Sequence, residues 1–253
     1  MSTVEPPSAE CKSAVLQSLS KVRATVQQCQ QNSGVFTDAR LVAVSKYKPA
    51  SAILAAYDAG QRHFGENYVQ ELCDKAAVLP SDIEWHFIGR LQSNKCKALA
   101  AIPNLWAVET VESAEKAHKL NDAWHSARNH RPLNVFVQVN TSGEANKGGV
   151  EPHQVEDVVR NILDSCPALH LQGLMTIGSI AGSQQRPNPD FCTLAELGNG
   201  LRQKTGVELE LSMGMSDDFE HALELGATNV RVGSKIFGTR PQKETIASAT
   251  ATS

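Results

Sequence analysis

Leu41-Val42-Ala43-Val44-Ser45-Lys46 is the first strongly apolar run of this chain, and Tyr47-Lys48-Pro49 follows at once. A short continuous run of this kind reads as a strand buried on both faces, the form found in parallel sheets. From Leu41 onward similar runs alternate with helical patterns. Strands are expected near 41–46, 63–66, 84–89, 105–109, 133–139, 169–177, 208–213 and 229–233. Helices are expected between them, near 50–60, 67–79, 93–101, 112–128, 151–165, 190–204 and 217–225. Such alternation implies a parallel sheet with crossover helices. Eight strands over this length match a single (β/α)8 TIM barrel, an architecture of about 250 residues. An open doubly wound sheet is the competing arrangement. A further helix near 9–31 precedes the first strand and is expected to plug or flank the barrel bottom. Residues 1–8 and 241–253 are polar and hold almost nothing that packs, so they read as disordered tails around a single domain over 9–240.

The chain of 253 residues is 41% apolar with a net charge of −3, enough for one large core. No basic stripe stands out, so nucleic acid is not an expected partner. No apolar stretch approaches membrane-spanning length, and the N-terminus lacks the apolar segment of a secretory signal. Cys11, Cys29, Cys73, Cys96, Cys166 and Cys192 form no CxxC pair and fit no zinc framework, so no metal is expected. They read as reduced thiols of a cytoplasmic protein. Glu5 and Glu10 argue against mitochondrial import but leave a mitochondrial pool open. Histidines such as His63 and His86 lie in strands and read as satisfied core or surface residues, since no HExxH occurs.

In a barrel, functional groups gather at the C-terminal ends of strands and in the loops that follow. Lys46 ends the first strand in register with Val42 and Val44, so an inward-facing Val44 puts its amine at the mouth. A lysine at a strand end is often merely solvated. Desolvation lowers an ammonium's pKa, however, and a neutral amine attacks carbonyls to form Schiff bases. Lys48, just before Pro49, is a rival nucleophile that reads better as a loop residue. Two stretches near the far end resemble phosphate cradles. Ser212-Met213-Gly214-Met215-Ser216 precedes a helix, where Ser216 either caps that helix or faces an anion. Asp217 and Asp218 argue against the anion. Arg231-Val232-Gly233-Ser234 closes strand eight; its arginine, inside an apolar run, needs a partner. Loops after strands seven and eight form the recurrent phosphate site of barrels. A reactive amine with a phosphate cradle points to an aldehyde bearing a phosphate, with pyridoxal 5′-phosphate (PLP) the obvious case. Asn67, Arg90, Gln138, Asn140, Met175 and Thr176 also fall at strand ends. The Gly-rich loops 141–150 and 178–189 read equally well as lids or connectors, and Lys147 as an anion contact or a solvated side chain.

The motifs VAVSKYKP (42–49), HFGENYVQE (63–71), WHFIGRLQSNK (85–95), GLMTIG (173–178), ELSMGMSDDF (210–219) and VRVGSKIFG (230–238) occur in this order. From Leu41 to Arg240 the chain resembles the PLP homeostasis protein family, also called the proline synthase co-transcribed bacterial homologue family. The resemblance implies a barrel similar to the N-terminal domain of alanine racemase, with PLP held covalently on Lys46. It implies phosphate contacts from Ser216, Gly233 and Ser234, with Ser212 and the Met215 backbone, Arg231 facing the pyridine nitrogen, and Asn67 near the ring. Tyr47 departs from the pattern, which calls for a small residue such as Thr, and its side chain is expected to face away from Lys46.

The same resemblance implies a carrier or reservoir in vitamin B6 homeostasis, as a monomer or weak dimer, with apo PLP enzymes as recipients and no strong catalysis. An arginine keeps its proton, so the nitrogen it faces stays neutral and the ring is a poor electron sink. Alanine racemase shares that arginine; what differs is a further acid/base tyrosine from an additional domain. Tyr47, Tyr57 and Tyr68 all lie early in this chain, and little sequence follows strand eight. A low-activity PLP racemase or lyase is the alternative, and a Schiff-base aldolase acting on phosphosugars is a third reading.

Overall fold

The computed structural model describes residues 4–33, 39–128, 131–144 and 147–239. The tail expected over 241–253 lies outside the described residues, as do the first three residues of the chain. Strands β1 (Arg40–Val44), β2 (His63–Glu66), β3 (Glu84–Phe87), β4 (Leu105–Val111), β5 (Leu133–Gln138), β6 (Leu169–Met175), β7 (Glu210–Ser212) and β8 (Asn229–Val232) form one closed barrel in chain order. The open sheet is thereby excluded. β8 pairs in parallel with β1, Val42 opposite Arg231.

Alternation along each strand sorts the side chains. Ala43, Phe64, Trp85, Val108, Val135, Leu174 and Val232 belong to the main apolar core between barrel and helices. The inward residues are smaller or polar: Val42 and Val44 pack toward Gly65, and His86, Glu109, Ser212, Asn229 and Arg231 are all buried. Ala107, Phe136 and Met175 form a small apolar cluster of their own. A register shift between Val108 and Val111 returns Val111 to the outer core after the inward Glu109.

The connecting helices follow the expected pattern: α2 (Ala50–Asp58), α3 (Val69–Val78), α4 (Cys96–Ala100), α5 (Ala114–Ser126), α6 (Val155–Ser165), α8 (Pro189–Thr205) and α9 (Phe219–Glu224). Two short helices were not anticipated, α7 (Ile180–Ser183) and α10 (Ser234–Phe237). Four-residue turns carry too little periodicity to be read from sequence. The N-terminal helix α1 (Ala9–Ser33) buries Val15, Leu19, Val22 and Val26, a stripe at helical spacing, and packs on α2, α9 and α10. It therefore flanks the wall where β8 meets β1 and does not plug the bottom. No helix among the described residues is long and apolar enough to cross a membrane.

α3 is tied to the barrel by a buried cation. Lys75 Nζ donates to Glu66 Oε1 at 2.6 Å, to Glu71 Oε1 at 2.7 Å and to the Ser45 carbonyl at 2.9 Å. Glu66 is fully buried, and burial raises its carboxyl above the ordinary value despite the Lys75 charge. Removing one partner of such a pair strands the other's charge. Lys75→Ala is expected to cost about 3–5 kcal/mol near neutral pH. Because the folded Glu66 pKa then lies still further above its unfolded value, the deficit shrinks as pH falls and the carboxyl protonates in both states. Urea denaturation at neutral and mildly acid pH measures this; an equal deficit at both would assign the loss to packing alone.

Candidate functional site

The C-terminal mouth of the barrel opens on a cavity of about 420 Å³. Lys46 stands two residues past the end of β1, in a turn, and lines this cavity beside Val44. The inward register expected from Val42 and Val44 is therefore kept. The turn is held by its neighbour. Tyr47 takes a left-handed φ of 62°, and its backbone N–H donates to Glu71 Oε1 at 2.7 Å. A bulky residue in that region costs on the order of 1–3 kcal/mol, so the Lys75–Glu71 contact that pins it also fixes where Lys46 emerges. The Tyr47 ring turns outward onto Tyr68, centroids 5.2 Å apart, and the two hydroxyls pair. Lys48 lines the cavity as well, donating to the Thr239 carbonyl at 2.8 Å; burial lowers its pKa.

Arg231 reaches the cavity floor from β8. Its Nη1 donates to Ser212 Oγ at 2.6 Å and its Nη2 to the Thr176 carbonyl at 2.8 Å. The partner that its buried position demanded is Glu109, reached through Ser212, whose hydroxyl donates to Glu109 Oε2 at 2.5 Å. Burial lowers the guanidinium's pKa, while Glu109 and Asp218 pull the other way. Sequence reading missed Glu109. The available signal was a lone carboxylate in the apolar run Leu105–Val111, matching the lone arginine of β8.

The loops after β7 and β8 meet across the mouth. Gly214, at φ 91°, accepts the Arg231 N–H at its carbonyl, and a Cβ there would lie 2.6 Å from that of Ala222. Only glycine takes this conformation in this space. Ser216 does not cap α9, whose N-cap is Asp218; its hydroxyl instead accepts the Gly233 N–H at 3.2 Å. Gly233 lets the β8 end approach β1, since a Cβ would sit 3.1 Å from the Val44 carbonyl. Ser216, Gly233 and Ser234 all line the cavity, and Gly233 and Ser234 open α10, whose first N–H groups have no intrahelical acceptor.

Other expected site residues fall differently. Met215 lines the cavity, but its backbone N–H is taken by Asp218 Oδ1 at 2.7 Å. Ser212 lies below the cavity with its hydroxyl committed to Glu109, Arg231 and Asn229. Asn67 lines the cavity, and its Oδ1 is buried without a hydrogen-bond partner. Met175 lines it too, while Thr176 contributes only its carbonyl to Arg231. Gln138 and Asn140 hold the 141–150 loop through Gly148 and Glu151, and Arg90 pairs with Glu112. Lys147 donates to the Gly178 carbonyl at 2.7 Å. Within the 178–189 loop, Ser179 is pinned to Asp190 through both its N–H and its hydroxyl. Ile88 and Ile177, inside the 85–95 and 173–178 motifs but not singled out from sequence, complete the apolar walls.

A wide family model, alanine racemase N-terminal domain, matches residues 17–241. The pyridoxal phosphate homeostasis protein of Schizosaccharomyces pombe is 48% identical over 227 residues, covering 89% of this chain and 93% of that protein. The solved structure of PipY from Synechococcus elongatus with PLP bound is 33% identical, covers 88% of this chain and all of that one, and has a TM-score of 0.72. Alanine racemase from Corynebacterium glutamicum shares the fold at 15% identity and TM-score 0.67, and this chain spans 62% of its length. The chain belongs to the alanine racemase N-terminal domain family and, within it, to the pyridoxal phosphate homeostasis proteins.

Proposed function

We propose that this chain binds PLP at the barrel mouth, linked to Lys46, and acts in PLP homeostasis as a cytoplasmic carrier from which apo enzymes are supplied. The convergence of Lys46, Arg231 and the Ser216–Gly233–Ser234 cradle on one cavity carries the reading. Its volume falls within the ~300–1,000 Å³ of small-ligand sites. Asn67 Oδ1 offers a buried acceptor in need of a partner, and Gly233 and Ser234 bring the start of α10, with N–H groups that lack intrahelical acceptors, to the cavity wall. We assign phosphate contacts to Ser216, Gly233 and Ser234. We take Ser212 and the Met215 N–H out of that set because each donates to a carboxylate, whereas Gly233 and Ser216 are bonded to each other at the cavity wall.

Bound PLP supplies an aldehyde carbon open to amines. The chain's own residues orient it: Arg231 offers a fixed positive charge to the ring, Val44, Ile88 and Met175 give it apolar walls, and Lys46 approaches from β1. Storage in preference to turnover is supported by the placing of the tyrosines. Tyr57 donates to Asp82, and Tyr47 and Tyr68 pair at the rim, so none of them lines the cavity. The protein is read as a monomer or weak dimer.

Lys46→Ala is expected to abolish the visible absorbance of the PLP-loaded protein while leaving its circular dichroism unchanged. Borohydride trapping followed by peptide mapping checks the assignment, and label on Lys48 or Lys147 would overturn it. Gly233→Asp is expected to weaken PLP at least tenfold while changing pyridoxal affinity little, because it sets a negative charge among phosphate donors. Equal loss for both ligands would mean a general loss of the fold or a misplaced cradle. Loaded protein mixed with an apo PLP enzyme, directly and across a dialysis membrane, is expected to activate the acceptor. Failure in both arrangements, with steady amino-acid turnover by this protein alone, would replace the carrier by a racemase or lyase.

A further inference from the structure

A hydrogen-bonded line runs through the barrel from its floor to the cavity. At the floor Glu84 Oε2 meets His63 Nε2 at 2.9 Å. His63 Nδ1 lies 3.0 Å from His86 Nε2, and His86 Nδ1 lies 2.5 Å from Glu109 Oε1. Glu109 Oε2 then accepts from Ser212, which receives Arg231 at the cavity. Trp106 stacks on the His86 ring at 4.6 Å, and Arg40 covers Trp106 while pairing with Glu210. Asn229 Nδ2 donates to Ser212 Oγ at 2.9 Å, and its Oδ1 accepts from Arg40. The other charged group facing Arg231 is Asp218.

Counting protons along this line fixes its state. Glu84 is a half-exposed carboxylate, so His63 Nε2 must donate to it. His63 is held neutral, its pKa lowered to about 3 by burial and by the His86 and Arg40 charges. Its Nδ1 is therefore an acceptor, and His86 Nε2 must be the donor. With that proton placed, a neutral His86 would turn a bare Nδ1 toward a carboxylate oxygen. Two lone pairs do not face each other at 2.5 Å, so one further proton lies between His86 and Glu109. Burial pushes the Glu109 carboxyl up, but the hydrogen bond and charge of His86, with Arg231 and Ser212, outweigh it and hold the carboxyl below its ordinary value. The proton therefore resides on His86. Ser212 has one hydroxyl proton, given to Glu109, and its oxygen accepts from both Arg231 and Asn229.

We propose that Glu109 is the positioning residue of the cavity: through Ser212 it fixes the Arg231 guanidinium, and the proton it shares with His86 sets the charge that a bound pyridine ring meets. The ring's part in this rests on the PLP reading above, whereas the proton on His86 does not. Loss of that proton would leave Glu109 unshared and weaken the positive field of Arg231. The field at the mouth is thereby linked to a chain whose other end, Glu84, reaches solvent at the opposite end of the barrel.

Glu109→Gln discriminates, because a Gln amide donates to His86 Nδ1 and its carbonyl accepts from Ser212. The bonds persist while the proton and the negative charge are lost. Nitrogen-15 NMR of the ligand-free protein is expected to show both His86 ring nitrogens protonated in the wild type and only one in Glu109→Gln. In the PLP-loaded protein, Glu109→Gln is expected to shift the visible maximum and remove one transition from its pH profile. His86→Gln, which leaves Glu109 unshared, is expected to shift the maximum the opposite way. A bare His86 nitrogen in the wild type overturns the proposal without any variant, and so do maxima that stay fixed or move the same way in both variants. If the wild type takes up no PLP, the binding reading fails and the nitrogen-15 pattern still decides whether His86 carries the proton it shares with Glu109.

Discussion

Arg231 sits where a cation is costly, inside a closed barrel, and much of the mouth is arranged around keeping it there. Its guanidinium holds the Thr176 carbonyl after β6 and Ser212 at the end of β7, while its own N–H is held by the Gly214 carbonyl. Three consecutive strand ends are thus indexed to one side chain. Desolvating a charge costs several kcal/mol unless partners replace water, and here Glu109, one layer down, supplies the opposite charge through a hydroxyl. Neither ion would be tolerable alone, which is why residues on β4, β7 and β8 meet at the centre.

The division of labour between the two faces of the sheet follows from this. Apolar stabilisation comes from the outer layer, where strand residues such as Phe64, Trp85 and Val135 meet the helices. The interior is left to a polar line and the small apolar cluster of Ala107, Phe136 and Met175, with Gly65 leaving room for Val42 and Val44. A buried network of this kind is rigid when every member is satisfied. Each member from Glu84 to Arg231 is hydrogen-bonded to the next, so the line adds orientation at the mouth more than cohesion.

At the rim the same logic fixes the amine. Lys75 pairs with both Glu66 and Glu71, Glu71 holds the strained Tyr47 backbone, and Tyr47 sets the turn from which Lys46 projects. Tyr47, the departure from the family pattern, spends its side chain outward on Tyr68 and does not line the cavity.

The sequence by itself determined the barrel. Eight apolar runs separated by helical periods leave few arrangements, because each run must be covered on both faces and parallel neighbours need crossovers. It also determined the inward register of Lys46, since alternation from Val42 and Val44 is a local property of the strand. What tertiary structure decided were the relations between strands far apart in the chain. That Ser212 lies beneath the cavity, that Ser216 binds Gly233 instead of capping α9, and that Glu109 balances Arg231 all depend on barrel stagger and loop packing. The Gly233–Ser216 and Ser212–Glu109 hydrogen bonds join residues 17 and 103 positions apart, and no local pattern encodes which partner each buried polar group will find.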